Sequence, residues 1–578
     1  MSFIPPGENI IEKKICPITG REFVMTEEDE KMYDMLSPVI GGQKLLIPLP
    51  TLCPQERQIR RMVWRNYDQF YKNTCALTGK EVISIYRPWT PYKVLSYETW
   101  WWDSWDAYSF AKEIDFSRPF FEQFKELDQS IYHMPLSFSK SENSAFTNFS
   151  LNNRNCYLCS RIVECENCYF SFLILRCKNC LDCNDVNDSE YLYECSRVMK
   201  SYHCFGCNDC ENCRNCYFLK DCTGCQDCFG SCNLRNAQYV YNNQQLSSEE
   251  YKNKLSKTLA SAMDYPDIRE NFLHYSEKFP KKYFTGYGNE VSLGNYLYHN
   301  AHIMYGFGGH ENDNVRYAYG WIHVKGSVEI SFGYFHERSM EICGGSVAYG
   351  QLFCINCIDD CRDIMYCKDC VNATVNCFGS ISLKKWKNCI LNTAYSQQEY
   401  ETQVIKLIDH MRATGEWGEF FPAQDSPFSY NESAALVHFP ESQDQIINRG
   451  WAWYTADTDI KKINSYTPLP ISQYTEKTVW YETAKKNIDA LLSETLYCIE
   501  SGKPYRIIWP ELAFYIENNL SIPLRHPSVR SQKRMSQTLP MELYDRSCDE
   551  CRKAFFTAYS QERPEKILCE ECYRKLVY

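Results

Sequence analysis

Two cysteine pairs near the carboxy terminus, Cys548-x-x-Cys551 and Cys569-x-x-Cys572, are separated by 17 residues. A C-x-x-C turn presents two thiolates to one ion, and two such turns complete the tetrahedral sulfur shell of a zinc ribbon. Four protein ligands leave no position for water, so the spacing predicts one structural zinc ion rather than a catalytic one.

The amino-terminal region reads as a degenerate copy. Pro54-x-x-Arg57-x-x-x-Arg61-Met62 matches Pro527-x-x-Arg530-x-x-x-Arg534-Met535, and Cys75 and Cys548 each stand 13 residues after the methionine. In register with the four carboxy-terminal thiols are Cys75, Thr78, Ser96 and Thr99, so that copy is expected to keep the shape without the ion. Two further fragments, Cys16-x-x-Thr19 with Cys53 and Cys498-x-x-Ser501 with His526, hold two Cys/His ligands each. That is too few for a closed site even if Glu56 joins the first. Cys16, Cys53 and Cys75 therefore read as vestigial metal positions.

The matching helices are basic. Arg57, Arg60, Arg61 and Arg65 surround Trp64, and Arg525, Arg530, Lys533 and Arg534 echo them. Such side chains can grip phosphates and stack on bases, which makes nucleic-acid binding one candidate function. They can equally pair with carboxylates of the chain itself, and their direction, outward or into ion pairs, separates the two readings. Asp359, Asp360 and Asp363 raise a third class, a β-helix enzyme cleaving glycans, although aspartates at such positions also suit turns. Phosphate-binding loops, nucleophile elbows and His-Glu-x-x-His pairs are missing from the sequence.

The elements that must carry these groups are written in a repeat. From Cys156 to Cys228, sixteen cysteines fall on residue numbers divisible by three, and the other positions of that frame hold Ile, Leu, Val or Ser. Tyr157, Tyr169, Leu181, Tyr193, Phe205, Tyr217 and Phe229 recur every 12 residues, as do Ile162, Ile174, Val186 and Val198. Periodic columns of this kind mark stacked coils that hide an apolar side on their neighbours. The fold predicted is mainly β: a duplicated parallel β-solenoid, with about 12-residue coils in its first half, flanked by zinc-ribbon-like α+β terminal modules. The columns alternate thiols with aliphatic residues, so the cysteines read as core rather than as metal or cluster ligands.

Both solenoid halves end in Cys-Phe-Gly-Ser, at Cys228 and Cys377, followed by the capping signals Ser247-x-x-Glu250 and Ser396-x-x-Glu399. The predicted units are 1–135, a degenerate zinc-ribbon-like module; 145–246, the cysteine-rich solenoid; 247–290, a helix and linker; 291–395, a second solenoid of less regular period; 396–490, a helix and connecting segment; and 491–578, the zinc-ribbon module.

Across 578 residues the net charge of −11 opposes chain-wide attraction to nucleic acid or anionic membrane. No apolar run is long enough to span a bilayer. An amino terminus without a secretory pattern, together with 33 cysteines, an odd number, makes a reducing cytoplasm with free or metal-bound thiols the expectation.

CPITGREFVMTEED at Cys16, TLCPQERQIRRMVWRN at Thr51, FSRPFFEQFKEL at Phe116, GEWGEFFP at Gly415 and the final CDEC…CEECYRKLVY resemble an uncharacterised family of large cysteine-rich proteins found in candidate-phyla-radiation bacteria. The resemblance implies zinc-binding knuckle or ribbon units at both ends. This chain departs from it at Thr19, Glu56, Thr78, Ser96 and Thr99. Some relatives carry a CaiB/BaiF-type CoA-transferase label, for which this sequence has no matching motif. The expectation is a non-enzymatic zinc-containing scaffold with a protein partner, no membrane partner, and nucleic-acid binding as the alternative.

Overall fold

The computed structural model describes residues 5–67, 69–144, 146–260, 265–455 and 488–577; of the connecting segment 396–490, the stretch 456–487 lies outside the described residues. Between residues 138 and 390 runs a parallel β-solenoid of mainly 12-residue coils, interrupted once. Its strands fall into a 14-stranded and a 13-stranded sheet, separated by the helices Ser248–Thr258 and Tyr265–Ser276.

A three-residue rule closes each coil. The residue before every inward position is left-handed, for example Asn155 (φ 52°), Asn167 (53°), Asn179 (51°), Asp182 (56°), Asp185 (55°) and Asp188 (52°). Asn and Asp tolerate this conformation better than other non-glycine residues, which cost roughly 1–2 kcal/mol there. One left-handed turn in every three residues gives four turns, and four sides, per 12-residue coil.

Backbone pairing between coils offsets this strain. Arg154, Glu166 and Lys178 donate N–H to the carbonyls of Cys165, Cys177 and Ser189 on the next coil at 2.9–3.0 Å, and the left-handed Asn155, Asn167 and Asn179 donate to the previous coil at 3.0 Å. The third N–H, that of the inward residue, points into the coil, and where the residue one coil earlier is Asn, Ser or Cys its side chain can accept it. Cys165 donates to Asn153 Oδ1 (2.9 Å), Cys183 to Ser171 Oγ (3.0 Å), Cys213 to Ser201 Oγ (3.0 Å) and Ser171 to Cys159 Sγ (3.4 Å). The thiols also donate: Cys165 Sγ lies 3.3 Å from the carbonyls of both Val163 and Ile174. The interior cysteines thus fill volume and satisfy main-chain groups together.

The second half follows the same rule with two insertions. Met340 pairs Leu352, but Leu352 pairs Met365 and Met365 pairs Phe378, 13 residues on, before Val375 returns to 12 with Lys387. Those two coils, with the 11-residue steps at its start from Gly286 to Leu297 and from Leu293 to Met304, account for its irregular period. Its interior also admits Trp321, because a Cβ at Gly309, one coil earlier, would stand 2.7 Å from the indole.

The 12-residue aromatic column faces outward. Tyr193 and Phe205 meet edge to face with centroids 6.0 Å apart, as do Phe205 and Tyr217 at 5.4 Å, rather than stacking flat as register alone would suggest. The column forms one core with the helices Tyr265–Ser276 and Trp509–Glu517. The docking is crossed: the amino-terminal helices Glu27–Leu36 and Pro54–Met62 contact the second solenoid half, whereas Pro527–Met535 contacts the first.

Candidate metal centre

The hairpin Tyr544–Ser547/Ala554–Thr557 places Cys548 and Cys551 in its turn. Cys548 N–H bonds to Lys553 O (2.9 Å), Arg552 N–H returns to Cys548 O (2.9 Å), and Arg552 is left-handed at φ 64°. The helix Glu570–Val577 brings Cys569 and Cys572 across from them. The four sulfurs lie within 4.8 Å of one another, Cys551 and Cys569 at 3.6 Å. A tetrahedral zinc with bonds of about 2.3 Å sets its sulfurs about 3.8 Å apart, so the four thiols fit such an ion. Burial pushes the Cys548 thiol up, but the N–H groups of Cys551, Cys569 and Glu550 outweigh it and hold the thiol at about 6, ready as a thiolate. The neighbouring thiols push Cys572 up to about 12, a competition that a dication among the sulfurs would reverse.

Three other turns repeat these hydrogen bonds. Gly20 N–H reaches Cys16 O at 2.8 Å, Gly79 N–H reaches Cys75 O at 2.9 Å, and Gly502 N–H reaches Cys498 O at 2.9 Å. Each glycine is left-handed, as Arg552 is. Hydroxyls replace thiols around Cys75: Ser96 Oγ lies 2.8 Å from Thr99 Oγ1. Against burial, Thr78 and the N–H groups of Ser96, Thr78 and Leu77 bring Cys75 down to about 7. Cys53 is pushed up to about 11, chiefly by burial, and Cys16 packs beside it. Glu56 is no third ligand, since its carboxylate accepts from Arg449 at 2.8 Å. Among the described residues, only the carboxy-terminal thiols bring three or more such ligands this close.

The C-x-x-C-x-x-C run from Cys204 also resolves. Cys204, Cys207, Cys210 and Cys213 occupy successive sides of one coil, each thiol donating to the carbonyl two residues before it, and Cys216 pairs with Cys204 on the next coil.

The arginines proposed for nucleic acid require a correction. Arg57 and Arg61 are fully buried and pair with Glu329 at 2.9 and 2.6 Å; Arg61 also pairs with Glu341 at 2.6 Å, and Arg60 with Glu341 and Glu419 at 3.1 and 2.5 Å. Arg65 lies over the Phe149 ring at 3.5 Å. At the other end, Arg530 and Arg534 pair with the buried Asp182, Arg534 at 2.7 Å, and Arg530 with Glu511 at 3.1 Å. None of the six side chains is available to a phosphate in this fold. Glu329, Glu341 and Asp182 are left-handed corner residues, so these helices clamp solenoid corners. Glu329, Glu341 and Asp182 lie about 270 to 350 residues from their arginines, so no local pattern points to these partners.

Asp359, Asp360 and Asp363 are left-handed as well, at φ 59°, 68° and 50°, and they mark the first inserted residue. Asp360 pairs with Arg362 at 2.7 Å.

No protein-family model matches the chain, and no curated protein matches it. Among the described residues, no helix is long and apolar enough to cross a membrane.

Proposed function

We propose that this chain is a non-enzymatic scaffold, a β-solenoid holding one structural zinc, which offers one solenoid side to a protein partner. The observation that carries this reading is the side of the first half left uncovered by the terminal modules. It presents a ladder of amides, Asn143 to Asn155 (3.3 Å), Asn155 to Asn167 (3.1 Å) and Asn167 to Asn179 (3.1 Å), beside the exposed Lys178, Tyr202 and Arg214. Rows spaced at the ~4.8 Å strand separation form a flat, rigid, polar surface of the kind repeat proteins use for recognition.

Zinc is the ion that four thiolates in a closed tetrahedral set suit best. The four equivalent turns support reading both ends as duplicated ribbon modules, of which one retained its ligands. They also support a place in the cysteine-rich family that the sequence resembles.

The test is affinity capture from the native organism by wild type and by a variant with Lys178, Tyr202 and Arg214 changed to serine. A protein retained by wild type after nuclease treatment and lost from the variant supports the scaffold. Capture that nuclease abolishes, or that the variant retains, contradicts it.

A further inference from the structure

Between the first solenoid half, the strand Lys281–Lys282 and the helix Glu570–Val577 lies a cleft of about 590 Å³, a volume suited to a small molecule. Its walls carry six cations, Arg197, Lys220, Arg235, Lys281, Lys282 and Arg574, and four acids, Asp209, Glu211, Asp221 and Glu570.

The acids are already engaged. Asp209 pairs with Arg197 at 2.5 Å, Asp221 with Arg235 at 2.9 Å, and Glu570 with both Lys282 and Arg574 at 2.5 and 2.8 Å. Glu211 accepts from Tyr287 at 3.1 Å and lies 3.8 Å from Lys200. Two cations are left over. Among the described residues Lys220 has no carboxylate partner, and the buried Lys281 ammonium, in a residue 5% exposed, is bonded to the neutral carbonyl of Ser276 at 2.9 Å. Burial, and then the charge of Lys220, lower the Lys281 ammonium from its usual range.

A buried cation without a directly paired carboxylate is costly, and an oxyanion that accepts from both ammonium groups reduces that cost. We propose that the cleft binds a small phosphate-bearing ligand, its phosphate held between Lys220 and Lys281. Tyr287, Tyr298 and Tyr559 line the remaining wall and offer flat apolar surface to the rest of the ligand. The cleft is tied to the candidate metal centre. Lys281 N–H bonds to Lys566 O at 2.8 Å and Tyr283 N–H to Leu568 O at 2.9 Å, one residue before Cys569. This inference is independent of the scaffold reading.

The experiment is calorimetric titration of the full chain with inorganic phosphate and with pyrophosphate, at constant ionic strength and with chloride as control. Saturable one-site binding is expected, weakened about tenfold or more by Lys220→Ala and by Lys281→Met, and unchanged by Lys325→Ala in the second solenoid half. Lys220 is an outward solenoid residue, so its variant keeps the fold. Absence of saturable binding up to about 10 mM of either anion, or wild-type affinity in Lys220→Ala, overturns the proposal.

Discussion

The backbone N–H of Cys183 donates to Ser171 Oγ, one coil earlier, at 3.0 Å, and Ser171 N–H donates in turn to Cys159 Sγ at 3.4 Å. Six of the seven residues in this column, Cys159 to Ser231 with Leu219 the exception, are serine or cysteine, and each of the six can offer an acceptor to the inward N–H of the next coil. An aliphatic residue of similar volume does not.

Ser171→Cys should therefore change stability little, whereas Ser171→Ala, which leaves the buried Cys183 N–H without its acceptor, should cost about 1–3 kcal/mol. Urea unfolding midpoints of the two variants check this. Equal effects would reduce the column to volume filling.

The clamp of Arg61 on Glu329 and Glu341 is fully buried. Glu341→Gln should destabilise by about 3–5 kcal/mol, because Arg60 and Arg61 lose a common counter-charge. Adding Arg61→Met should recover part of that loss, and a double-mutant cycle reads the coupling directly.

How far these features were legible depends on sequence distance. The phase of the sixteen cysteines fixed the inward positions, and Ser247 with Glu250 and Ser396 with Glu399 form the capping boxes their spacing foretold. Cys548, Cys551, Cys569 and Cys572 converge as their spacing required. Asn155, Asn167 and Asn179 were visible as a column, but their left-handed backbone was not inferred, although Asn, Asp and Gly recur just before the inward residues. The arginine clamps and the cleft join segments hundreds of residues apart. No local pattern encodes such contacts, so the basic helices looked like surfaces.

His336 is buried inside the second solenoid half, and burial pushes its imidazole down to about 4. The unfolded chain takes up a proton at this residue near pH 6.5, the folded chain only near 4, so protonation of the unfolded state erodes stability as pH falls between those values. Relative to His336→Leu, wild type should lose about 3 kcal/mol from pH 7 to pH 4, at 1.36 kcal/mol per unit, as read from paired urea titrations. A constant difference across that range would show that the imidazole titrates normally.

The central claim is that most cysteines of this chain build a solenoid interior and four of them hold one ion. Elemental analysis of the purified chain tests it most directly. The account predicts about one zinc per chain, lost in a Cys548→Ser/Cys569→Ser variant and retained when Cys204, Cys210 and Cys216 are together replaced by serine. Two or more zinc or iron atoms per chain, or metal that survives loss of Cys548 and Cys569, would contradict it.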